Sequence, residues 1–264
     1  MIRDITIGQY YSVESPIHKM DPRFKLIASM LYLISLFLIN QMVAYIVVIS
    51  FIGIVVKVSR VPFQFIMKGL KPVFMLIIFA FLINVFLTRG TSDPLIDIGF
   101  ITVYSEGIER AFFMAIRLVL LIVGTSLLTL TTSPIELTDG IEYLLNPFKR
   151  IGLPAHELAM MMTIALRFIP TLLEETDKIM KAQMARGADF ESGNLMNRAK
   201  ALIPLLVPLF ISAFRRADEL AMAMEARCYK GGEGRTRMKV LRYTSLDVIG
   251  SLVMIVYIAA CIAL

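Results

Sequence analysis

Apolar residues fill long blocks of this chain, and polar residues interrupt them where helices are expected to end. Phe24 to Ile39 and Val43 to Val58 read as two apolar helices joined at Asn40-Gln41. Each is short for a bilayer crossing, which takes about 20 residues to traverse about 30 Å of hydrocarbon. The pair is therefore expected to be tilted or partly buried in protein. Pro72 to Leu87 is the third block, Ala111 to Thr131 the fourth and Val240 to Leu264 the fifth. The pattern predicts an all-α fold, a polytopic helical membrane protein with about five transmembrane helices. Residues 1–132 hold the N-terminal segment and the first four, and residues 240–264 hold the last.

Between them, residues 133–239 follow a different pattern and are read as a cytoplasmic coupling domain. Ser133-Pro134-Ile135-Glu136 is a helix start, with Ser as N-cap, Pro at the first position and Glu completing a capping box. That short helix is expected to run to Leu145 and stop at Asn146-Pro147. A second helix opens at Pro154 and extends to Arg186, about 50 Å if continuous, with Pro170 expected to kink it. A third runs from Leu195 to Tyr229, bent at Pro204 and Pro208. The first halves of these two helices, Leu158 to Ile169 and Leu202 to Phe214, are apolar, and the second halves are amphipathic and charged. Such helices start in or against the membrane and finish in the cytosol beside each other.

Charge sets the expected topology. The 264 residues are 57 % hydrophobic and 18 % charged, with a net charge of +6. In a soluble protein that excess would suggest nucleic acid, but the positive-inside rule explains it here, and no nucleic-acid partner is expected. Lys57, Arg60, Lys68 and Lys71 fall in a connection without an acid, which reads as a cytoplasmic loop. Arg89 to Arg110 carries two arginines against Asp93, Asp97, Glu106 and Glu109 and is placed outside, as is the C-terminus after the fifth span. Met1 to Lys25 holds seven charged residues and no apolar core, so no cleavable signal peptide is expected. Asp21-Pro22 then opens the first helix, and Arg23 and Lys25 beside it oppose the helix dipole, a placement that lipid phosphates would favour. Arg117 interrupts the fourth span. A charge inside a span is a functional candidate, yet this one is also near enough to the outer end to snorkel.

Little of the remaining chemistry points to catalysis. There is no G-x-x-x-x-G-K-[ST] loop, and Gly231-Gly232-Glu233-Gly234-Arg235 lacks the Lys-Ser/Thr ending, so nucleotide hydrolysis by this chain is not expected. His18 and His156 are too few and too distant for a metal site. Glu174, Glu175 and Asp177 are interleaved with Lys178 and Lys181, and read as a solvated face with an Asp177/Lys181 pair. Cys228 lies in the polar insert and Cys261 in the last apolar run, which is no disulfide framework. Met160, Met161, Met162, Met180, Met184, Met196, Met222 and Met224 crowd the insert, either as ordinary packing or as a soft apolar surface that repacks against partners.

One phrase occurs twice. Ala182-Gln183-Met184-Ala185-Arg186-Gly187 closes one helical segment and Ala223-Met224-Glu225-Ala226-Arg227-Cys228 closes the next, with the arginines 41 positions apart. At that offset Asp177 also matches Asp218. A cation at a helix C-terminus suits the dipole by about 0.3–1 kcal/mol, which is the bland explanation. Small neighbours, however, let a helix tip approach another surface with Arg as its only long group. Ala185, Arg186 and Gly187, with Ala226, Arg227 and Cys228, are therefore candidates for two plugs that dock into partner proteins.

With these residues in view the chain resembles, over essentially its whole length, the transmembrane T components of energy-coupling factor transporters, bacterial vitamin and metal importers related to ABC transporters. The N-terminal match is Gly8-Gln9-Tyr10 followed by Ser15-Pro16-Ile17-His18-Lys19-Met20-Asp21-Pro22-Arg23-Phe24-Lys25; the most specific is the doubled Ala-Arg-Gly phrase, with Arg215-Arg216-Ala217-Asp218-Glu219-Leu220-Ala221 leading into its second copy. The resemblance implies a non-enzymatic scaffold in the bacterial cell membrane, with the N-terminus and coupling domain cytoplasmic. It further implies that the two arginine tips enter grooves on two ABC-type ATPase subunits, which bind the ATP, while the chain holds a membrane-embedded substrate-binding S component. Cys228 departs from the phrase, where Gly is usual. Two other classes compete: a secondary transporter, which would favour inverted repeats and ionisable groups at mid-membrane, and a membrane-embedded lipid-modifying enzyme, which would need carboxylates or histidines clustered near a membrane face.

Overall fold

A computed structural model describes residues 10–39, 41–88, 96–97, 102–188, 190, 195–232 and 240–263. The elements are α1 (Pro22–Leu38), α2 (Met42–Ser59), α3 (Phe63–Leu87), β1 (Ile96–Asp97), β2 (Thr102–Val103), α4 (Ser105–Thr131), α5 (Pro134–Leu145), a 3-10 turn (Asn146–Ile151), α6 (Ala155–Ala185), α7 (Leu195–Ala226) and α8 (Ser245–Ala263). The fold is all-α. Among the described residues, strand is confined to one antiparallel ladder in which Ile96 faces Val103 and Asp97 faces Thr102. Contacts divide the chain into two compact units, Gly8–Ile141 with Val240–Leu264, and Glu142–Lys239.

Among the described residues, five helices are long and apolar enough to cross a membrane, namely α2, α3, α4, α6 and α8. The number agrees with the sequence pattern, but the membership differs. At 17 residues, α1 rises only about 25 Å, while α6 qualifies through its apolar first half. The basic connection also shortens. Residues Arg60–Pro62 alone separate α2 from α3, so Lys68 and Lys71 sit on the helix rather than in a loop, and Pro72 lies inside it.

The core of the first unit is built where α1, α2, α4 and α8 meet. Tyr32, Leu36, Val48, Ile52, Leu120 and Tyr257 are buried there. Tyr hydroxyls in such a place need partners. Tyr32 donates to the Leu120 carbonyl at 2.9 Å, Ser35 Oγ donates to the Tyr32 carbonyl at 2.7 Å, and the Tyr257 hydroxyl is 2.8 Å from Ser35 Oγ. Gly124 makes the fit possible, since a Cβ there would lie 2.2 Å from the Tyr32 ring.

At the start of α1, Asp21 is the N-cap, accepting from the Arg23 N–H at 2.9 Å. The two cations beside it do not face lipid phosphate as the sequence suggests. Both are buried. Lys25 Nζ donates to the carbonyls of Thr131 at 2.9 Å and His18 at 3.2 Å. The Thr131 carbonyl is an unpaired acceptor at the end of α4. A helix C-terminus thus takes the ammonium that the α1 N-terminus disfavours. Arg23 lies 3.7 Å from Asp21 and over the Tyr243 ring. His18 bridges Ser15 Oγ (2.7 Å) and the Tyr11 carbonyl (3.0 Å), with Nε2 donating to the latter, and burial holds its imidazole below the ordinary range.

At the opposite end of α1, Arg117 borders a hollow of about 620 Å³ with Asn84, Glu106 and Glu109, and its guanidinium is held by groups of the protein. Its NH2 group donates to the Ile39 carbonyl at 2.8 Å and its Nε to the Tyr45 hydroxyl at 3.0 Å. Ile39 is the C-cap of α1, so an α4 cation closes the negative end of a short neighbouring helix. Arg117→Met should destabilise this unit by about 1.5–3 kcal/mol, because charge-assisted bonds to two buried groups are lost. Thermal unfolding in detergent checks this, with Arg117→Lys expected to recover part of the loss.

Candidate functional site

The repeated phrase ends two long helices that form an antiparallel pair. As residue numbers rise along α6, their partners in α7 fall. The Tyr229 hydroxyl donates to Met160 Sδ at 3.0 Å, Arg216 NH2 donates to Glu175 Oε2 at 3.0 Å beside a Ser212–Glu175 hydrogen bond, and Gln183 Nε2 donates to the Pro204 carbonyl at 3.4 Å. The Met160 and Gln183 levels are 23 residues apart on α6, about 35 Å of rise. Arg186 therefore lies at one end of the pair and Arg227 at the other. The expectation that the two helices finish beside each other is overturned, because the connection at 186–194 folds α7 back along α6.

These links were missed in sequence. Glu175 does not sit on a solvated face; it joins α7 through Arg216 and Ser212. No ion pair joins Asp177 and Lys181 among the described residues. Gln183 answers a defect that the sequence does signal: Pro208 has no N–H, which leaves the Pro204 carbonyl without its helical donor. Gln183 supplies that donor from α6, three residues before the tip.

The tips are alike in backbone geometry. Ala185 is the last residue of α6 and Arg186 its C-cap. Gly187 follows at φ +88°, its N–H on the Met184 carbonyl and the Ala188 N–H on the Gln183 carbonyl, both at 3.0 Å. Ala226 ends α7, and after Arg227 the Cys228 N–H reaches the Glu225 carbonyl at 2.8 Å and the Tyr229 N–H the Met224 carbonyl at 3.0 Å. Each pair of bonds makes a Schellman motif. It satisfies the last carbonyls with backbone alone, so neither guanidinium is needed for capping. Both arginines are exposed.

Cys228 occupies the left-handed position at φ +52°. An L-residue with a Cβ pays about 1–2 kcal/mol there, and no close packing demands it. Cys228→Gly should therefore stabilise the second tip by about 1 kcal/mol, and Gly187→Ala should weaken the first by a similar amount. No atom lies within 4 Å of the position that an alanine Cβ would take at Gly187, so the cost there is conformational. Amide hydrogen exchange at Ala188 and Tyr229 reads both, and equal exchange in variants and parent would refute the strain argument.

The surroundings of the tips differ. Beside Arg227 is a hollow of about 500 Å³ lined by Met160, Ile164, Leu220, Met224 and Tyr229. Nearby, His156 Nδ1 is 3.0 Å from Glu142, and its ring packs on Gly232. Met161, Met162, Met184, Met196 and Met222 are exposed, as is an apolar stripe on α7 that includes Ile203, Val207, Phe210 and Phe214. These methionines are thus surface rather than core.

Residues 13–238 match the family model described as Cobalt transport protein (CbiQ). The chain is 61 % identical over 264 residues to the energy-coupling factor transporter transmembrane protein EcfT of Clostridium kluyveri, covering all of this chain and 97 % of that one. It is 58 % identical to EcfT of Ruminiclostridium cellulolyticum, over 97 % and 96 % of the two chains. Against EcfT of Bacillus subtilis it is 54 % identical, over 94 % and 93 %. With full-length similarity at this level and several helices fit to span a bilayer, the chain belongs to the transmembrane T components of the energy-coupling factor transporters.

Proposed function

We propose that this chain is the scaffold of an ATP-driven importer of vitamins or other micronutrients. Arg186 and Arg227 dock into two ABC-type ATPase subunits, and closure of those subunits on ATP moves α6 and α7 so as to reorient a membrane-embedded S component that binds the substrate. The observation that carries this reading is the pair of exposed arginines on matched helix ends, at opposite ends of a helix pair whose Met160 and Gln183 levels alone are about 35 Å apart. Two contacts that far apart on one helix pair suit two subunits better than one groove. Because backbone bonds already cap both helices, the guanidiniums remain available as planar donor forks. ATP belongs to the partners, and the chain itself is not an enzyme. In this reading the N-terminus and residues 133–239 lie on the cytoplasmic side, α6 included although its composition would let it cross a membrane, and the C-terminus faces outward.

The test is affinity purification of the tagged chain from its native membrane, with identification of what accompanies it. Two ATPase subunits and at least one small integral membrane protein are expected. Saturable uptake or solute binding by the chain alone would replace this reading with a secondary transporter.

A further inference from the structure

Between α1, α2, α4 and α8 lies an apolar crevice of about 340 Å³, bordered by Phe24, Ala28, Val55, Leu127, Ile249 and Val253. Well-packed interiors leave few voids larger than a water molecule, and apolar cavities of this kind stay dry and accept apolar ligands. Its polar border is confined to Lys25, Ser29, Tyr32 and Thr131. Lys25 and Tyr32 are already committed to carbonyls within the protein.

Directly adjoining it is a second hollow of about 280 Å³, with Pro16 and Leu246 lining both and charged side chains on its border. Lys19 and Arg60 stand in it, with Glu14 3.3 Å from Lys19. Glu14 offsets one cation and leaves the other. Among the described residues the Arg60 guanidinium has no hydrogen-bond or ion-pair partner, and its backbone sits at φ +55°, at the C-cap of α2. Lys57 is one turn away on the same helix end. A left-handed arginine with nothing to hold, next to a slot for hydrocarbon, is a pairing of a head site with a tail site.

We propose that this composite cavity binds one anionic phospholipid, an acyl chain in the crevice and the phosphate on Arg60 and Lys19. The α2, α4 and α8 walls belong to helices fit to cross a bilayer, so acyl chains surround the crevice at high concentration. Cations near the membrane surface favour anionic lipids. The bound chain completes the packing of the α1–α8 seam, which the protein leaves open.

The experiment is native mass spectrometry of the full chain released from nanodiscs containing equal phosphatidylglycerol and phosphatidylcholine. The unaltered chain should retain one phosphatidylglycerol. Lys19→Gln and Arg60→Gln should each lower its preference over phosphatidylcholine by about fivefold. Ala28→Leu, which narrows the crevice, should abolish retention of either lipid. Because a crevice-filling change also tests the fold, a photoactivatable phosphatidylglycerol is added to the unaltered chain and should attach to α1 and α8. A chain that retains no lipid, a free fatty acid in its place, equal retention of both phospholipids, attachment elsewhere, or unchanged preference in the Lys19 and Arg60 variants overturns the proposal.

Discussion

Replacing both Arg186 and Arg227 by Ala is expected to release the ATPase subunits from the complex and abolish uptake while the chain still inserts and folds. The proposed docking predicts this, and the geometry makes the test clean. Each tip is capped by its own Schellman bonds, so losing a guanidinium removes no bond that holds the helix end. If the arginines merely complement dipoles, each Ala should cost at most about 1 kcal/mol of local stability, and Lys should serve equally. If each fork is buried against carboxylates or carbonyls of a partner, truncation costs about 2–5 kcal/mol of binding, and Lys, a point charge without the fork, is a poor substitute. The double variant should be far worse than either single one. With one tip attached, the second binds at high effective concentration; with none, that gain disappears. Co-purification of ATPase subunits and uptake of solute are measured for the two Ala, two Lys and double-Ala chains. Retention and uptake equal to the parent in the double-Ala chain would sink the docking role.

What could be seen in the sequence was whatever is encoded over a few residues. Asp21-Pro22 and Ser133-Pro134 announce helix starts through side-chain oxygens and prolines, and both helices begin there. The repeated phrase marks two helix ends: α6 ends one residue before Arg186 as expected, and α7 ends at Ala226, three residues short of the expected Tyr229. Links between distant positions were not legible. That Glu175 would meet Arg216 depends on α7 folding back antiparallel to α6, and nothing local distinguishes that from two helices ending side by side. Likewise Lys25 reads as a surface cation until Thr131, 106 residues away, is brought to it. Arg117 looks like an intramembrane charge in search of a function until the end of α1, 78 residues earlier, presents its carbonyl. In the last two cases a helix end supplies unpaired backbone groups and a distant polar side chain satisfies them. Pro208 is the exception that could have been used, since a proline four residues after Pro204 signals in advance an acceptor that must find a donor elsewhere.

Asp247→Ala is expected to be the most destabilising single change in the membrane unit. Asp247 is 2 % exposed, yet it forms no ion pair among the described residues. Instead its carboxylate gathers donors from two places. Oδ1 accepts the Asp21 N–H at 2.8 Å, and Oδ2 accepts the Thr244 N–H at 2.7 Å and the Thr244 hydroxyl at 2.8 Å. One residue thus joins the N-cap of α1 to the start of α8 across 226 positions. The acid also suits the first turn of α8, where the dipole is positive. Alanine would leave the buried Asp21 N–H without its acceptor, at about 1–3 kcal/mol, would release the N–H of the exposed Thr244, and would cut the tie that positions α8 against α1. A loss of about 2–4 kcal/mol follows from the unsatisfied Asp21 N–H and the lost helix-start bonds. Asp247→Asn separates charge from shape: its single carbonyl oxygen can serve one side, while its NH2 group meets a donor on the other. It should fall between parent and Ala. Thermal unfolding of the purified chains in one detergent ranks them, and Asp247→Ala melting with the parent would show that the tie between α1 and α8 is made by packing alone.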